Sequence, residues 1–74
     1  MNVGLLWSDF GTDPLAAKIQ RAAQRYRARF GQAPDICYVH PTALAGGTPT
    51  VPGISVKPSA KILQGHLWLG REAG

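Results

Sequence analysis

Few residues in this chain have the chemistry to act on something else. Asp9, Asp13 and His40 are the main group, with Ser8 and Thr42 beside them. Two carboxylates and an imidazole brought to one place could bind a divalent cation or pass protons. Each also has a plain structural use: Asp13 precedes Pro14 and suits a helix cap, Asp9 suits a turn, and His40 ends a strand before Pro41. Asp13 at the start of a helix also puts a negative charge where a phosphate would otherwise sit, which argues against a nucleotide site.

Cys37 and His40 have the spacing Cys-x-x-His, with His66 as a third candidate ligand. Residues three apart on a strand point to opposite faces, so the pair cannot share a metal without a bulge. Cys37 is the only cysteine, which excludes an intrachain disulfide and a Cys-rich zinc site, and it reads as a small buried hydrophobe. No serine lies in a nucleophile elbow and no glycine-rich turn has phosphate-cradle spacing. The sequence therefore names no metal and no cofactor, and it leans away from an enzyme.

A second kind of chemistry is charge. Eight basic residues stand against four acidic ones, a net charge of +4. Lys18, Arg21, Arg25 and Arg29 fall on one narrow helical arc, with Arg27 on the other side. Arginines four apart repel, and an anionic partner such as a nucleic acid would relieve them. Against this, cations near a helix C-terminus are favoured by the macrodipole, and no aromatic residue interleaves with the stripe to stack on bases.

The elements that must position these groups follow from patterning. Val3 to Trp7 is a short apolar strand running into a turn, Ser8 to Thr12. Asp13-Pro14 starts a helix to Phe30, in which Leu15, Ile19, Ala22, Ala23, Tyr26 and Phe30 share one arc. Gly31 and Pro34 end it. Ile36 to His40 reads as a second strand, so strand, helix and strand form a crossover with the two strands parallel. A long connector, Pro41 to Gly53, follows. Ile54 to Val56 and Lys61 to Leu69 read as a β-hairpin turning at Lys57 to Ala60. Pairing Val56 with Lys61 puts Ile54, Val56, Leu63, Leu67 and Leu69 on the helix side and Ser55, Ile62, Gln64, His66 and Trp68 on the other. Residues 70–74 read as a frayed tail.

The fold class expected is therefore α+β: one domain over residues 1–74, with about four strands in a mixed sheet and one helix packed on one face. Seventy-four residues are expected to form a single domain with one core. The other face then exposes Leu6, Ile62, His66 and Trp68, with either Tyr38 or Cys37 and Val39. A contiguous apolar and aromatic patch marks an interaction surface, unless the Pro41 to Gly53 connector folds over it.

The functional expectation is a non-catalytic module that forms a homo-oligomer, a dimer, through this face. Nucleic-acid binding by the basic helix is one alternative, and a small metal-binding or hydrolytic site at the strand ends is another. With no long apolar stretch and no signal-like start, the chain reads as cytoplasmic, with no membrane partner.

Overall fold

The structure, a computed structural model, describes residues 4–72. Val3, which opens the first strand in the sequence reading, lies outside the described residues. Four strands form one mixed sheet: β1 (Gly4–Ser8), β2 (Ile36–Val39), β3 (Ser55–Pro58) and β4 (His66–Gly70), in the order β1-β4-β2-β3. One α-helix, α1 (Leu15–Phe30), connects β1 to β2, and a short 3-10 helix, Pro41–Leu44, opens the connector after β2. The expected α+β class with one helix on a four-strand mixed sheet is what the chain forms.

The pairing differs from expectation in two ways. β1 and β2 run in the same direction, but β4 lies between them, antiparallel to both. β3 and β4 do not form a hairpin, because β3 pairs in parallel with β2 and lies two places from β4. The physical reason lies in the segment between them. After Pro58 the chain makes two turns, Ile62 N–H to Ser59 O at 3.2 Å and His66 N–H to Leu63 O at 3.1 Å. Lys61 to Gln64 is therefore loop, and the proposed pairing of Val56 with Lys61 is absent. Gly65, at φ +79°, makes the last turn into β4.

α1 follows its sequence. Ile19, Ala22 and Tyr26 are buried, and Leu15, Ala23 and Phe30 pack beside them. Gly31, at φ +75°, ends the helix and donates its N–H to Arg27 O at 2.8 Å. Its start differs from expectation. Pro14 holds the capping position with no side-chain cap, and Pro14 O accepts from the Ala17 and Lys18 N–H groups. Asp13, one residue too early to cap, instead accepts from Arg21 Nη2 at 2.9 Å.

The core lies between α1 and one side of the sheet. Leu67 and Leu69 of the central β4 and Cys37 and Val39 of β2 meet Ile19, Ala22 and Tyr26 there, with Leu5, Trp7 and Val56 partly buried. Each fully buried leucine is worth about 1.5–3 kcal/mol. The connector completes this same side: Val51 is buried in the cluster and Leu44 packs against it. Leu63, assigned to the core by alternation, is 70% exposed because it sits in the turn before β4. Gly70, read as tail, is the buried last residue of β4. Arg71 Nη1 donates to Ala33 O and the Glu72 N–H to Asp35 Oδ1 at 2.7 Å, so the chain is held through residue 72. The rest of the expected frayed tail, residues 73–74, lies outside the described residues.

Candidate functional site

The side of the sheet away from α1 is built from small and large residues in register. Leu6, Trp68, Tyr38 and Lys57 are paired across β1, β4, β2 and β3, so their side chains share this face. The neighbouring row is Gly4, Gly70, Ile36 and Ser55. The Trp68 indole lies over both glycines: a Cβ at Gly4 would meet its ring at 2.2 Å and one at Gly70 at 2.3 Å. Laid flat in this way, Trp68 also stands 5.8 Å from the Tyr38 ring. Ile36, on this face by alternation with Tyr38, is 2% exposed although it lies outside the helix-side cluster.

Ile62 joins from the loop, where Tyr38, Ser59, Lys61, Ile62 and Trp68 line a recess of about 440 Å³. His66 contributes at the other end, with the Phe10 ring edge-on to it at 5.6 Å and Nδ1 directed at Gln64 O. Phe10 in turn occupies the space that a side chain at Gly65 would need. Leu6, at 60% exposure, is the exposed apolar residue of the row. Of the two sequence alternatives for the second strand, Tyr38 faces this side and Cys37 and Val39 face the core. Glu72 forms part of the rim: Tyr38 Oη donates to its carboxylate at 3.4 Å, and Lys57 Nζ lies 3.9 Å from it. Neither Phe10 nor Glu72 was identified from sequence. The Phe10-Gly11 turn gives no sign of packing against Gly65, and Glu72 lies in a stretch without patterning.

The strand ends hold the second group. Asp9, Lys18, His40 and Thr42 line a recess of about 100 Å³ with residues 64–67. Asp9 and His40 are therefore brought to one edge of the sheet, as the shared direction of β1 and β2 requires. Asp13 is instead joined to Asp9 through Arg21, whose Nη2 lies 3.1 Å from Asp9 and 2.9 Å from Asp13. The Gly11 N–H, 3.0 Å from Asp9 Oδ1, holds that carboxyl below the usual carboxylate range against partial desolvation, and Arg21 adds to it. His40 is committed locally: its Nδ1 meets the Thr42 N–H and hydroxyl and caps the 3-10 helix. Among the described residues no group of three His, Cys, Asp or Glu side chains could hold a metal ion. Cys37 is fully buried, and desolvation pushes its thiol up to about 12.

The basic stripe does not stand free as a unit. Lys18 Nζ donates to Asp9 O at 3.1 Å, and Arg21 is bound by the two aspartates. Arg25 lies 5.8 Å over the Trp7 ring and Arg29 5.6 Å over Phe30. Arg25 and Arg29 thus have aromatic neighbours and no carboxylate among the described residues. Together with Leu5, Trp7 and Ala28 they line a groove of about 330 Å³ beside β1.

Among the described residues no helix is long and apolar enough to cross a membrane. No protein-family model matches the chain, and neither a curated protein nor a solved structure matches it.

Proposed function

We propose that this chain is a non-catalytic interaction module that pairs with a second copy through the sheet face opposite α1. The observation that carries this reading is the row Leu6, Trp68 and Tyr38, extended by Ile62 and His66, on the side that neither α1 nor the connector covers. Tryptophan and tyrosine at the centre of an apolar patch are the residues that dominate interface energetics. A second copy is the natural occupant, because one core with no disulfide leaves a small domain marginal and a partner supplies further burial.

The test is molar mass by sedimentation at high micromolar concentration. The wild type is expected as a dimer, and Trp68→Ser and Ile62→Ser as folded monomers. Trp68 also packs on Gly4 and Gly70, so Ile62→Ser gives the reading a variant outside the sheet. A wild type that stays monomeric overturns it.

Nucleic-acid binding by the helix has less behind it, since Lys18 is turned to the Asp9 carbonyl and Arg21 is paired with two aspartates. What favours an anionic partner at all is the remaining pair, Arg25 and Arg29.

A further inference from the structure

β1 is an edge strand, and its outer side is open. Among the described residues only β4 pairs with it. The Asp9 N–H bonds to Gly65 O at 2.9 Å, so the antiparallel alternation assigns the N–H and C=O groups of Leu5 and Trp7 to β4. Those of Gly4, Leu6 and Ser8 point outward. Native proteins blunt such an edge with charge, proline, a bulge or a covering segment. The other edge strand, β3, has two of these, Lys57 and Pro58. β1, with the sequence Gly-Leu-Leu-Trp-Ser, has neither a charge nor a proline.

We propose that β1 is the docking edge for an extended acidic peptide of a partner protein, added to the sheet as a fifth strand. Side chains of an added strand alternate between the two faces. Those beside Leu5 and Trp7 fall on the α1 side, in the groove where Arg25 and Arg29 stand without a carboxylate partner. Those beside Leu6 fall on the open side, next to an exposed leucine. The fitting sequence therefore alternates acidic and apolar residues. Backbone pairing supplies binding, and the two arginines choose the charge. A second β1 fits less well. Antiparallel self-pairing about Leu6 puts Trp7 of each copy opposite Leu5 of the other, which brings Arg25 of one copy to the level of Arg29 of the other. Nucleic acid lacks the alternating amides that would pair with the strand.

The probe is acetyl-Glu-Val-Glu-Val-Glu-amide, with the Lys-Val analogue as control, titrated into isotopically labelled protein at low salt. The Glu peptide is expected to bind with a dissociation constant on the order of 1 mM, about tenfold tighter than the Lys peptide. At about nine-tenths saturation, amide exchange at Leu6 and Ser8 should slow about tenfold, while Leu5 and Trp7 serve as protected internal controls. The double charge reversal Arg25→Glu with Arg29→Glu, checked for an unchanged fold by its amide spectrum, should invert the preference. Equal binding of both peptides overturns the proposal, as does binding that leaves Leu6 and Ser8 exchange unchanged. Protection of those two amides that rises with protein concentration alone also overturns it, because a second copy would then hold the edge. Pairing through the Trp68 face is read separately, since it gives a dimer whose Leu6 and Ser8 amides remain free.

Discussion

Cys37 shows how far one residue's surroundings set its chemistry. In sequence it stands three positions from His40, a spacing that invites a metal, yet its place on β2 turns it into the core while His40 caps the 3-10 helix. Burial raises its thiol from 9.0 to about 12. The sign follows from proton binding. Between these values the folded chain keeps the proton and the unfolded chain loses it, so the stabilising contribution is complete below pH 9.0 and declines as pH rises towards 12. The decline approaches about 1.4 kcal/mol per pH unit. Urea unfolding at a series of pH values from 8 upward should show a steeper loss for wild type than for Cys37→Ala. Parallel slopes would show that the thiol titrates alike in both states. That Cys37 and His40 are directed apart was legible, because residues three apart on a strand point to opposite faces. The partnership of Asp13 with Arg21 was not, because it depends on where Asp9 arrives from another element.

At the scale of elements, what the sequence made legible were the pieces whose information is local. The periodic apolar arc and Gly31 specify α1, and a β-rich run bounded by Pro34 and Pro41 specifies β2. Strand partnership is not local. Alternation places Leu67 and Leu69 on the core side and His66 and Trp68 on the other, but the same alternation fits any neighbour, so it suggests β3 as the partner of β4, which in the fold separates β1 from β2. The signal that the long Lys61 to Leu69 strand was really loop and strand was Gly65, whose φ of +79° no strand interior uses. Gly65→Ala tests that turn. The left-handed backbone strains any side chain, and the new Cβ meets the Phe10 ring at 2.0 Å, although Phe10 is 73% exposed and can swing away. The backbone cost remains, about 1–2 kcal/mol by urea unfolding, and Phe10→Ala in the same chain should recover little of it. A full recovery would show that the ring, and not the turn, requires glycine.

For the whole molecule, the two sides of the sheet are unequal, and the open question in the sequence was which side the Pro41 to Gly53 connector would take. It takes the side of α1, where Val51 and Leu44 complete the core. No pattern in a stretch of Pro, Gly, Thr and Ala could indicate this, because a single buried valine decides it. The opposite side is left to Trp68, laid over Gly4 and Gly70, and to its neighbours. If a second copy covers that side, folding is linked to protein concentration, since anything that binds the native state alone stabilises it by mass action. For a chain of this length each tenfold rise in concentration should raise the melting temperature on the order of 3–6 °C. Ile62→Ser should flatten that dependence whatever it does to the melting temperature itself, so the slope separates lost association from lost packing. A melting temperature independent of concentration in the wild type would mean that Trp68, Tyr38 and the two glycines satisfy this face within one chain.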